Sequence, residues 1–185
     1  MSIPKHTADA DIPDAIVKLD LALHLIRNGV RPPIASRLTA LPNQVVRKLW
    51  ESHFHTPAPR GQFPPDSTRI LSGTGIAEEG ALWLAIYRRT CDYYSVRITS
   101  RVHATALLDA YRTLRIVLSQ QVRLTLQQTY FIARDLVTGT LETRYCTTCR
   151  ARYLYHLPST LISCPFCAAQ KTRRQKAPGL SLTTD

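Results

Sequence analysis

The chain is short of most features that mark membrane proteins, secreted proteins and enzymes. No stretch of its 185 residues approaches the roughly 18 consecutive apolar residues that a spanning helix needs, so no membrane span is expected. The N-terminus, MSIPKHTADADIPDAI, has no basic region followed by an apolar run. It is therefore not read as a secretory signal, and the protein is expected to be cytoplasmic. There is no glycine-rich phosphate-binding loop, no Ser/His/Asp grouping, no paired-carboxylate arrangement and no internal repeat. An enzyme is not expected. Acidic residues are also scarce, 13 against 24 Lys and Arg, which leaves a net charge of +11.

Cysteine is rare too, five in all, but four of the five fall within YCTTCRARYLYHLPSTLISCPFC. Cys146-x2-Cys149 is followed by fourteen residues and then Cys164-x2-Cys167. Structural disulfides are rare in a reducing cytoplasm. A thioredoxin-like redox site needs only one Cys-x-x-Cys, at a helix N-terminus after a strand. Here there are two pairs, and the segment between them is rich in β-branched and aromatic residues around Pro158, which suggests a short hairpin joining the pairs. Two such turns aiming four thiolates at one point make a closed tetrahedral site for a single structural Zn²⁺, the site of a zinc ribbon. His156 is expected to be a surface residue of that hairpin rather than a ligand. Cys91 is expected to be a small buried hydrophobe.

A closed four-thiolate site folds a segment too small to build its own core. The charge suggests what that segment presents. Residues 142–185 hold seven basic residues (Arg144, Arg150, Arg152, Lys171, Arg173, Arg174 and Lys176) against Glu142 and Asp185, a net of +5. The first hundred residues carry only +3, twelve basic against nine acidic. Basic charge gathered on a small rigid module points to a polyanion, most often nucleic acid.

Upstream, the apolar periodicity is that of helices. Residues 1–12 have no period and are read as a loose arm. From Pro13, Ile16, Leu19, Leu23 and Ile26 recur at three- and four-residue steps, with Asp14 as a cap and Asn28-Gly29 as the stop. A second short helix fits PPIASRLTA, and Pro42 is placed to open a third, NQVVRKLWESHF. Residues 32–54 then have the form of a helix-turn-helix. Val45, Val46, Leu49 and Trp50 make an apolar stripe, while Gln44, Arg47, Lys48 and Glu51 lie opposite, with donors for bases and phosphates. Residues 55–75 are dense in proline and glycine and are expected to be irregular. Helical patterns resume at about 77–92 and from 101 to 138, with a break near Ser119 to Val122. The expected fold is thus mainly α: a helical domain over 13–141, a small zinc-ribbon module with its basic run over 142–176, and a disordered tail over 177–185.

In order and in sequence these parts resemble the FlhC family, the larger subunit of the FlhD–FlhC transcriptional activator. The matching parts are IRNGVR, VVRKLWESHF, PAPRGQFP and the cysteine quartet with its basic tail, over roughly residues 14–176. FlhC proteins typically continue the turn-rich loop with an aromatic S-T-D-W-F-like run, where this chain has Ser67-Thr68-Arg69-Ile70-Leu71. FlhC-like activators also occur on conjugative elements, where they switch on transfer genes. The resemblance implies a double-stranded-DNA-binding activator in a hetero-oligomer of two FlhC-like and four FlhD-like chains, recruiting RNA polymerase to flagellar or conjugative-transfer promoters. It implies zinc on Cys146, Cys149, Cys164 and Cys167. DNA contacts map onto Arg150, Arg152, Lys171, Arg173, Arg174 and Lys176, and onto Gln44, Arg47 and Lys48 of the third helix.

Two rival functions belong to other classes. A zinc-clipped protein-interaction scaffold would bind without salt dependence. An RNA-binding ribbon would need exposed aromatics to stack unpaired bases, and its candidates, Tyr153, Tyr155 and Phe166, are expected to pack the ribbon instead.

Overall fold

In the computed structural model, which describes residues 12–72, 75–156 and 164–176, Gly29 ends the first helix, α1 (Ile12–Arg27). Gly29 takes φ +78°. Its N–H donates to the Ile26 carbonyl at 2.8 Å, and the N–H of Val30 reaches back to Leu25 at 3.1 Å. This pair of bonds is a Schellman motif and requires a left-handed residue, which glycine supplies without a Cβ penalty. At the other end the sequence-based expectation needs correction. The helix begins at Ile12, so Asp14 lies inside its first turn and pairs with Lys18 one turn on; it is not the cap. Nor is the apolar stripe a core face throughout. Ile26 is buried with Ala22 and Leu25, whereas Ile16 and Leu19 are exposed, because the neighbouring helices cover only the C-terminal half of α1.

α2 (Pro32–Thr39) starts with two prolines where a missing N–H costs nothing, and ends at Ala40 in the left-handed region. Pro42 then precedes α3 (Asn43–Phe54). α1, α2 and α3 pack on one another, burying Ile34, Ala35, Val46 and Trp50. Within the expected stripe of α3, Val46 and Trp50 are buried, Leu49 is partly buried and Val45 is exposed.

The proline-rich stretch is irregular up to Ser67, then forms one turn of helix, α4 (Thr68–Leu71), that its composition hid. Asp66 accepts the Thr68 N–H at 2.9 Å, and Ile70 is drawn into the core. The stretch is tied to a distant helix. Ser67 N–H donates to Asp135 at 2.6 Å, and Arg134 donates to the carbonyls of Pro64 and Pro65.

α5 (Ile76–Tyr93), α6 (Ala104–Val117) and α7 (Leu126–Thr138) supply most of the core, with breaks where the sequence predicts them. Trp83 stacks on Tyr87 inside α5, and Cys91 is buried beside them, as expected. A Thr125–Gln128 capping box opens α7, and Gly139 closes it. The chain then enters β1 (Leu141–Tyr145), which pairs antiparallel with β2 (Arg152–His156) from Leu141↔His156 to Tyr145↔Arg152. α8 (Pro165–Lys176) follows. β1 packs on α7, and β2 and α8 pack on α5. Gly80 permits that approach, since a Cβ there would lie 2.9 Å from the Leu71 side chain and 3.3 Å from that of Leu154.

The hairpin therefore differs from the expected one. Its strands flank the first cysteine pair, and only β2 comes from the segment between the pairs; the second pair opens a helix. His156 is not a surface residue either. Its side chain is only 10% exposed, with Nε2 4.0 Å from Asp66 Oδ2. The expected loose arm, apart from Ile12, and the expected tail over 177–185 lie outside the described residues. Among the described residues no helix is long and apolar enough to cross a membrane.

Candidate metal centre

Each cysteine pair is held by a different local device. The first caps the β1–β2 hairpin. Cys146 N–H donates to the Ala151 carbonyl at 2.9 Å, and Arg150 N–H returns to the Cys146 carbonyl at 2.8 Å. This tight turn puts Arg150 in the left-handed region, φ +58°, a conformation glycine more often fills. It also turns the N–H groups of Cys149 and Thr148 toward the Cys146 sulfur. The second pair sits at the start of α8. Ala168 N–H donates to the Cys164 carbonyl at 3.0 Å, and Pro165 occupies the first helical position. The N–H groups of Phe166 and Cys167 are left free to meet the Cys164 sulfur.

The four sulfurs lie within 4.8 Å of one another. Cys146 Sγ is 3.8 Å from Cys167 Sγ, and Cys149 Sγ is 3.5 Å from Cys164 Sγ. A disulfide would need about 2.05 Å. A tetrahedron with metal–sulfur bonds of about 2.3 Å has sulfur–sulfur edges of about 3.8 Å. The geometry and the donor set fit one metal ion and are compatible with zinc. Backbone N–H donation, led by Cys149, lowers the Cys146 thiol to about 6. The hydrogen bond with Cys149, together with burial, pushes Cys167 up to about 12, and burial also raises Cys164. The thiolate is easily formed at Cys146 and disfavoured at Cys164 and Cys167. A cation that bound all four would displace their protons.

The floor of the cluster is α5. Ala81, Tyr153 and Cys164 are buried together, with Cys146, Phe166 and Cys167 packed around them. Tyr155 is also buried, so Tyr153 and Tyr155 pack inward as expected, while Phe166 is only partly buried and Tyr145 is exposed.

The basic candidates divide into two surfaces. Arg150 on the turn, Arg152 on β2 and Lys171 on α8 are exposed beside the cysteines. Arg173, Arg174 and Lys176 fall on the last turns of α8, and their side chains lie outside the described residues. Gln44, Arg47 and Lys48 are exposed on α3, whose packing partners are α1 and α2; the structure does not bring them to the thiols. Arg144 is marked by the sequence only as one of the basic residues of the module, not as a contact residue. It faces Tyr153 across the sheet, and its guanidinium lies 3.5 Å from the centre of the Tyr155 ring, a cation–π contact that braces the hairpin. Only the strand register reveals it.

Compared with known proteins, the sequence matches no protein-family model and no curated protein.

Proposed function

We propose that the chain is a DNA-binding transcriptional activator subunit of the FlhC type, with one structural zinc on Cys146, Cys149, Cys164 and Cys167. In this reading it works with a small helical FlhD-like partner to bring RNA polymerase to flagellar or conjugative-transfer promoters. The observation that carries the proposal is the convergence of four thiols beside exposed Arg150, Arg152 and Lys171. A closed four-thiolate site does no chemistry of its own, but it holds those charges in fixed positions against a polyanion. Zinc suits four thiolates in a tetrahedron better than oxygen-preferring cations do.

Two further features support the reading. α2 and α3 are joined by a three-residue turn with Ala40 left-handed, and the polar face of α3 is open to solvent, as a recognition helix requires. The N-terminal half of α1 exposes Ile16, Val17 and Leu19, an apolar surface suited to a helical partner. Footprinting on neighbouring promoters, with and without the product of the adjacent gene, tests the proposal. Protection that needs both proteins and weakens steeply with salt is expected. Salt-insensitive binding to another protein, with no protected DNA, would instead favour an interaction scaffold.

A further inference from the structure

Beside the metal centre, a groove of about 910 Å³ runs along α5 between the turn at 118–123 and the start of α8. Glu78, Ala81, Ala85 and Arg88 line its floor at helical spacing. The ten residue steps from Glu78 to Arg88 span about 15 Å, or three helical turns. Leu118 forms one wall and Phe166 the other, so the lining is mostly apolar. Alanine at 81 and 85 keeps the floor low.

Charged side chains line the groove as well as apolar ones. Arg123 lies over Gly75, beside Glu78. Glu79 also reaches the groove, but its carboxylate is occupied by the backbone N–H groups of Arg123 and Leu124. Arg88, about three turns from Glu78 along α5, and Arg152 on β2 also line the groove, and among the described residues neither has a carboxylate partner. Arg88 makes one long bond, 3.3 Å to Thr143 Oγ1, and its Nε is buried without a hydrogen-bond partner.

We propose that the groove docks an amphipathic helix of a partner protein, its apolar side on Ala85, Leu118 and Phe166 and its carboxylates at Arg88 and Arg152. The size of the trough fits about ten helical residues lying lengthwise, the helix-in-groove mode of recognition. A nucleic acid would gain little from the apolar floor. Because Arg152 and Phe166 come from the metal module, the groove is complete only while that module is folded. The inference does not depend on DNA binding.

The test uses the full chain with zinc and two capped, fluorescein-labelled 15-residue probe peptides, read by fluorescence anisotropy at physiological salt. One carries leucine at every third and fourth position with glutamates between; the other has lysines in place of the glutamates. The glutamate peptide is expected to bind at least tenfold more tightly. Ala85→Phe, which fills the floor, should reduce that binding at least tenfold while zinc content and Tm stay unchanged. The charge-reversed pair Arg88→Glu and Arg152→Glu should invert the preference between the peptides. Equal binding of both peptides, or binding undiminished by Ala85→Phe, would overturn the proposal.

Discussion

The buried carboxylate of Glu79, in the first turn of α5, accepts the Leu124 N–H at 2.8 Å and the Arg123 N–H at 2.9 Å, linking residues 44 and 45 positions apart in sequence. These bonds anchor the turn that leads into α7 and satisfy two N–H groups no helix or strand supplies with an acceptor. Replacing Glu79 with alanine is expected to cost about 2–4 kcal/mol, the loss of charge-assisted bonds with donors left unmet. Glu79→Gln keeps one acceptor and should cost less. Urea unfolding of the two variants gives the comparison, and equal stability of wild type and Glu79→Ala would contradict the anchoring role.

A second prediction concerns the metal. One zinc per chain is expected by elemental analysis of reduced protein, and Cys164→Ser should lower that content. Since binding must displace protons from the thiols, above all Cys167, apparent zinc affinity should fall as pH is lowered, with protons released on titration at constant pH. Because α5 is the floor of the site, chelation should also speed hydrogen exchange in β2 while leaving α6 protected. Full metal binding by Cys164→Ser would count against the four-cysteine site.

Gly80 offers a packing test. The Leu71 and Leu154 side chains occupy the space a larger residue would enter. Gly80→Leu is expected to destabilise the protein by about 1–3 kcal/mol through overpacking. Gly80→Ala should do far less, because the gain of about 1 kcal/mol in helix propensity offsets the shift of two flexible side-chain ends. Thermal unfolding of both variants distinguishes this from a general intolerance of the position.

How much of this was legible beforehand differed by element. The breaks between α5, α6 and α7 follow from apolar periodicity and local stop signals, which act within a few residues. The cysteine quartet was legible because ligand spacing is also local. The hairpin was not, since LETRY carries no asparagine–glycine turn and the turn is made by the cysteine pair itself. Its register depends on contacts with α5 and α7 that no window of sequence contains. Nothing near Glu79 in sequence marks its acceptor role, because that role depends on residues far along the chain. For α1 the periodicity identified an apolar face, but which half of it the neighbours cover is a tertiary fact.

Acid should weaken the tie at Asp66. Hydrogen bonds from Thr68, chiefly, hold its carboxyl below the ordinary value of 3.8. The folded state therefore binds fewer protons than the unfolded state between the two values, and stability rises with pH across that window. The contribution is fully present above about pH 4–5 and is lost as pH falls through the folded pKa. Asp66→Ala should thus be less stable than wild type at neutral pH, with the gap narrowing below pH of about 4. A gap that stayed constant down to strong acid would show that charge at Asp66 contributes nothing.

The last prediction separates the two candidate DNA surfaces, and Arg150 makes the separation clean. Its φ of +58° is costly for any residue with a Cβ, by about 1–2 kcal/mol, so Arg150→Gly should leave the fold as stable or more so. If Arg150 meets phosphate, the same change should weaken specific and random DNA alike and flatten the salt slope by about one unit. A loss of affinity in a protein that has not lost stability cannot be attributed to damage at the metal centre. Arg47 is exposed on α3 and would read a base edge if residues 32–54 enter the major groove. Arg47→Ala should then cost about 1–3 kcal/mol on the operator and little on random sequence. The opposite pattern, with Arg47→Ala silent and Arg150→Gly erasing discrimination between operator and random DNA, would assign base readout to the metal module and leave α3 as a solvated face.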